Sequence, residues 1–156
     1  MNTYLDFEKP IESLDARIFE LKSLNEETPS ESLLEEISNV EKASPLLLHG
    51  VLASITMQEQ YKVSDKQIIE SIKYHTSGME EMDEVFMTVF LADKLDPKKI
   101  EKNSQLEPIN QTAQYSLSDA TLMYLNMKIS SIIDSGHLVH PDSLDARNSL
   151  LLKTGI

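Results

Sequence analysis

Three side chains in the middle of the chain have the types needed for a metal site: His49 in LLLHGVLAS, His75 in IKYHTSGM and Asp93 in VFLADKLDP. Each lies beside an apolar stretch of helical character, so a compact helical fold could aim all three into one pocket. Two imidazoles and a carboxylate suit iron, manganese, zinc or nickel, and with positions left open for water they form the ligand set of a hydrolytic centre. Each residue also has an ordinary structural reading. A His or Asp next to an apolar run is more often a core or cap residue satisfied by hydrogen bonds. His75 falls at a helix carboxyl end, where the helix dipole by itself favours an imidazolium. Asp93 follows Val85, Phe86, Val89 and Phe90 in a helix that is apolar on most sides, which predicts burial, and a buried carboxylate must be paired, hydrogen-bonded or metal-bound. Spacing alone leaves both readings open.

The elements that must position these residues are helices. Helix formers dominate, glycine numbers only 4, and β-branched residues are scattered instead of alternating with polar ones, so the fold class is all-α. Pro10 opens a first helix with Ile11, Leu14, Ile18 and Leu21 on one face. A turn over 25–29 leads to a second, antiparallel helix presenting Leu33, Ile37 and Val40, with Ser32 and Glu35 as a capping box. Ala43-Ser44-Pro45 is the natural boundary, giving a hairpin over 1–43 and a helical domain over 44–156. In that domain a helix is expected to carry His49, Leu52, Ala53 and Met57 on its inner side, with Gly50 and Ala53 leaving space beside the histidine. Ser64 with Gln67 is expected to cap the next helix, which runs through Ile68, Ile69 and Ile72 to His75 and stops at Ser77-Gly78. Asp96-Pro97 ends the helix that carries Asp93. Residues 100–115 read as a polar loop, 117–134 as a long amphipathic helix closed by Gly136, and 141–152 as a last helix. His137 and His140 flank Pro141 in a connector and are read as structural, as is the Arg147-Asn148 pair.

Composition narrows the function. There are 26 acidic against 14 basic residues, a formal charge of −12, which argues against nucleic-acid or anionic-membrane partners. Much of the excess sits in residues 1–43 and in MEEMDE, so Lys73, Lys94, Lys98 and Lys99 can still make a local basic pocket, although a solvated helix face explains them as well. No apolar run approaches the roughly 20 residues of a membrane span, the acidic start is unlike a signal peptide, and there is no cysteine, so a cytoplasmic protein is expected.

The wording around the three residues carries a resemblance. PLLLHG, IIESIKYHTSGM, VFLADKLDP and GHLVHPDSLDARNSLL together resemble the later part of the bacterial HD-domain phosphohydrolases that split diadenosine tetraphosphate symmetrically into two ADP, over residues 45–156. The resemblance implies a helical bundle, a divalent metal (iron or manganese), His49, His75 and Asp93 as ligands, and Lys73, Thr76 and Lys99 facing a nucleotide polyphosphate. The family also uses an early His and a His-Asp doublet whose Asp bridges two metals. This chain has no histidine before His49 and no His-Asp dipeptide, so it resembles a family member that has lost its first third. Lys99 stands where the family usually has Arg, which keeps the charge without the bidentate fork, and Met79 stands where a basic residue commonly follows HTSG.

Residues 1–43, with TYLDFEKPIESLDARIFELKSL and SESLLEEISNVEK, resemble instead the amino-terminal helical hairpin of the carboxyltransferase alpha subunit of bacterial acetyl-CoA carboxylase. None of the catalytic body of that enzyme follows. The combined expectation is a degenerate, weakly active or inactive metal-dependent phosphohydrolase. The alternative is a non-enzymatic helical interaction module whose hairpin pairs with another copy or with carboxyltransferase subunits, because a two-helix unit leaves an apolar stripe to be covered.

Overall fold

In the computed structural model the chain divides into two units, Met1–Asn39 and Val40–Ile156. The structure describes residues 47–154, all in the second unit. The hairpin expected over 1–43, with its Pro10 start and its Ser32 and Glu35 capping box, lies outside the described residues.

Seven helices follow one another in the described region, with no strand among its residues. They are α1 (Leu48–Glu59), α2 (Lys66–Tyr74), α3 (Glu84–Lys94), α4 (Pro97–Lys102), α5 (Leu106–Ala113), α6 (Leu117–Asp134) and α7 (Pro141–Thr154). Side-chain caps fix four of the starts. Asp65, Asp83, Asp96 and Ser116 accept the backbone N–H groups of Ile68, Phe86, Lys98 and Asp119, each satisfying a donor that the helix cannot. The cap of α2 is therefore Asp65 and not Ser64, and Gln67 instead donates to Asp83 Oδ2 at 2.5 Å, tying α2 to the start of α3.

The long helix α6 covers the expected residues, and its end is a Schellman motif. Gly136, at φ +70°, donates to Ile133 O and His137 donates to Ile132 O. The polar stretch 100–115 is not a loop. It contains the end of α4 and all of α5, whose Leu106 and Ile109 are buried against the core.

The core gathers around α6, which packs against α3, α5 and α7. Phe90 is fully buried, stacked on Phe86 with ring centroids 6.5 Å apart and edge-on to Tyr124 of α6 at 5.6 Å. Leu106, Ile109, Leu122, Leu125, Ile129 and Leu150 complete the cluster. Arg147 donates to Asn126 Oδ1 at 2.6 Å and to Asn148, which ties α7 to α6 as the structural reading anticipated. The other end of the bundle is built by α1 on α2 and α2 on α3. Here the inner face of α1 is Leu48, Val51 and Ser54, not Leu52, Ala53 and Met57. Gly50 does not leave room for the histidine, since a Cβ at that position would lie 2.4 Å from Lys73 O, so its missing side chain is where the α2 backbone passes.

A candidate metal and anion site

His49 lies in the first turn of α1 and His75 caps the carboxyl end of α2. The approach of the two helices at Gly50 brings the rings together, with Nε2 atoms 2.9 Å apart and ring planes nearly perpendicular. His75 Nδ1 lies 2.7 Å from Ile72 O. A carbonyl only accepts, so Nδ1 carries the proton and Nε2 of His75 presents a lone pair, which the N–H of His49 Nε2 fills. Burial lowers the His75 pKa, assisted by Lys94 and His49 and opposed by the Ile72 hydrogen bond and Asp93, so the ring is held neutral. Thr76 Oγ1 stands 3.3 Å from His49 Nε2. Gly78, at φ +80° and with its Cα against Ala146 of α7, then turns the chain away.

Asp93 is not the buried member of its helix. It is about half exposed, whereas its neighbour Lys94 is buried. The Lys94 ammonium donates to Asp93 Oδ2 at 2.6 Å and to His75 O at 2.9 Å, and lies 5.0 Å above the Phe90 ring. Lys99 donates to Asp93 Oδ1 at 3.0 Å and to the Asp93 carbonyl at 2.6 Å. Both carboxylate oxygens are thus engaged by ammonium groups. Burial raises the Asp93 pKa, but the adjacent Lys94, with its hydrogen bond, and then Lys99 outweigh it and hold the carboxyl at about 2. Because that value lies below the ordinary 3.8, ionised Asp93 stabilises the fold above about pH 4, and the contribution is lost as pH falls toward 2. Denaturant titrations through this range should therefore show a smaller acid-induced loss of stability in Asp93→Asn than in the parent chain.

Behind Thr76 a cavity of about 390 Å³ opens between α3, α4 and α6, lined by Thr76, Asp93, Lys94 and Lys99 on one side and by Tyr124 and Lys128 on the other. Burial pushes the Tyr124 phenol up to about 12, with a further push from Asp93, so it stays protonated and able to donate. Burial also lowers the Lys94 pKa, offset by Asp93, and Lys99 and Lys128 lower it further, which marks the three ammonium groups as neighbours.

Of the residues singled out in the sequence, His49, His75 and Thr76 come together, and Thr76, Asp93 and Lys99 share the cavity. Lys73, whose ammonium lies 4.9 Å from the Tyr74 ring centroid, is not among the residues lining that cavity, and neither is Lys98. Lys128 was not singled out, and its signal was the spacing Tyr124, Met127, Lys128, Ser131, one face of α6. His137 is exposed, while buried His140 accepts the Asp142 backbone N–H through Nδ1 at the start of α7.

The metal implied by the resemblance can be tested against these donors. Two imidazole nitrogens 2.9 Å apart suit adjacent positions on one ion, since ligand distances of about 2.1 Å at a right angle place donors about 3 Å apart. Asp93 does not join them, and among the described residues no group of three His, Cys, Asp or Glu is placed to hold a metal ion. The donors among the described residues fit a two-imidazole site and do not fit a two-metal centre.

The all-α bundle is consistent with an HD-like fold. A crystal structure described as a predicted HD superfamily hydrolase involved in NAD metabolism, from Clostridium acetobutylicum, superposes with a TM-score of 0.66 at 25% identity, covering 81% of this chain and 69% of that one. No family model matches the chain. The symmetrical bis(5'-nucleosyl)-tetraphosphatase of Halalkalibacterium halodurans is 26% identical over 107 residues, 69% of this chain and 56% of the relative, so the chain spans little more than half of that enzyme's length. The acetyl-CoA carboxylase carboxyl transferase subunit alpha of Parvibaculum lavamentivorans is 44% identical over 64 residues, 41% of this chain and 20% of the relative. Both resemblances read from the sequence are therefore found, and the second is longer than the 43 residues first assigned to it. Among the described residues no helix is long and apolar enough to cross a membrane.

Proposed function

We propose that this chain is a degenerate HD-domain phosphohydrolase of the diadenosine tetraphosphate type, retaining a partial metal site with weak turnover or none. The observation that carries the reading is the His49 and His75 pair, with its Nε2 atoms converging and the His75 tautomer set by Ile72 O. A divalent metal, iron or manganese on the family resemblance, would supply Lewis-acid activation of water and of the phosphate oxygens. His49 and His75 would hold it, and His49 must then give up its Nε2 proton. The bridging carboxylate of a two-metal centre has no counterpart in the residues described. Asp93, engaged by Lys94 and Lys99, holds those ammonium groups beside the cavity and leaves Thr76 and Lys99 to meet a polyphosphate. Lys73 is assigned to the same substrate on the resemblance alone. A cytoplasmic location accords with this reading.

Calorimetric titration of metal-free protein with manganese tests the site. Binding is expected in the parent chain and should be abolished in His75→Ala, with no more than trace release of ADP from diadenosine tetraphosphate. Rapid, metal-dependent ADP release by pure protein would show that the site is not degenerate.

The 44% identity to a carboxyltransferase alpha subunit favours a second reading, a helical interaction module that self-associates through its amino-terminal segment or pairs with carboxyltransferase subunits. Sedimentation showing only monomer at high micromolar concentration, with no binding to carboxyltransferase, would remove it.

A further inference from the structure

We propose that Lys128 on α6 acts with Lys94 and Lys99 to make the cavity behind Thr76 a receptor for a phosphate-bearing small molecule, held without any metal ion. The inference deepens the reading above, which supplies the polyphosphate, by assigning its retention to the lysines of this chain.

The charge of the cavity points this way. Its lining carries three ammonium groups against the single carboxylate of Asp93, in a chain whose formal charge is −12. Lys94 and Lys99 already share Asp93 between them, and among the described residues Lys128 makes no ion pair. Internal pairing therefore leaves two positive charges in a concave site, where low-dielectric walls concentrate their field. A divalent cation would be repelled there and a phosphate attracted.

The arrangement of donors fits the same ligand. Lys94 is buried and held by Asp93 and His75 O, so it forms a fixed floor. Lys99 from α4 and Lys128 from α6 are exposed and line its wall. Ammonium groups on flexible stems act as point charges and can close on a phosphate without a fixed approach direction. The Thr76 hydroxyl and the Tyr124 phenol add neutral donors, and Tyr124 offers an apolar ring as well. At about 390 Å³ the cavity lies near the low end of small-molecule sites, which run from about 300 to 1,000 Å³. One phosphorylated group with a small appendage fills it, and a dinucleoside tetraphosphate would extend outside.

The test uses the full chain in EDTA, titrated calorimetrically with inorganic pyrophosphate at low salt, alongside Lys128→Met and Lys66→Met. Lys66 is a highly exposed lysine away from this cavity and serves as control. Expected are saturable binding by the parent chain and by Lys66→Met, and about tenfold weaker binding by Lys128→Met with unchanged helical content. Equal binding by Lys128→Met and parent, or no binding by folded protein at millimolar pyrophosphate, would overturn the proposal. Binding that appears only after manganese is added would overturn it too, while leaving the phosphohydrolase reading intact. Metal-free pyrophosphate binding in a chain that takes up no manganese would have the opposite meaning, sustaining the receptor and removing the partial metal site.

Discussion

Phe90→Ala is expected to lose about 3–5 kcal/mol of folding stability. The ring has no exposed surface, stacks on Phe86, meets Tyr124 edge-on and supports the buried Lys94 ammonium from 5.0 Å. Truncation removes the transfer energy of a whole aromatic side chain and leaves a cavity between Phe86 of α3 and Tyr124 of α6. Small domains have only about 5–15 kcal/mol in total, so the variant should sit near the edge of unfolding at ordinary temperatures. Val89, the preceding residue, is 38% exposed, and Val89→Ala should change stability by no more than about 0.5 kcal/mol. Urea titrations followed by circular dichroism decide the matter. Similar losses at the two positions would mean that α3 is rotated from the orientation described.

Gly50→Ala is the second large effect, and its sign separates two physical accounts. Helix propensity alone predicts a gain of about 1 kcal/mol, because glycine is the poorest helix former after proline. Packing predicts a loss. The new Cβ would stand 2.4 Å from Lys73 O and 3.2 Å from Ile72 O, both backbone atoms that cannot rotate away. Overpacking of this kind costs about 1–3 kcal/mol, which exceeds the propensity gain over most of its range. The strain is relieved by moving α1 off α2, and that separates His49 from His75. Gly50→Ala should therefore be destabilised in denaturant and should also lose manganese binding. A variant that is more stable than the parent would show that the two helices are not in this contact.

The pairing of these helices illustrates what local sequence leaves open. The stretch LLLHGVLAS is apolar nearly all round, so it predicts a buried helix without saying which side faces inward. Gly50 reads equally well as space for a histidine or as a groove for a neighbouring backbone, and only the approach of α2 distinguishes them. The same ambiguity governs Asp93 and Lys94. Consecutive residues in an apolar helix point about 100° apart, so burial of one rather than the other depends on how α3 is rotated against α6. Lys94 is the one turned inward, against Phe90, and Asp93 is left half exposed to share its oxygens between two lysines.

Where boundaries rest on chemistry within a few residues, they were legible in the sequence. The residues of α6, its stop at Gly136, the break at Asp96-Pro97 and the place of His75 at the carboxyl end of α2 follow from capping groups, a left-handed glycine and a proline that continues no helix, although α2 ends at Tyr74, short of the expected stop at Ser77-Gly78. Helices α4 and α5 have 6 and 8 residues, too short to be stable on local propensity, and their polar sequence hides them until Leu106 and Ile109 find the core. The amino-acid sequence by itself determined the all-α class and the resemblance to HD-domain hydrolases, because these reside in residue types and short spacings, and it raised His49 and His75 as candidates. The tertiary structure alone decided that those histidines meet, that Asp93 is engaged by lysines, and that Lys128 faces the same cavity. Each of these is a contact between helices far apart in the chain, set by the rotation of one helix against another, which no short stretch of sequence encodes.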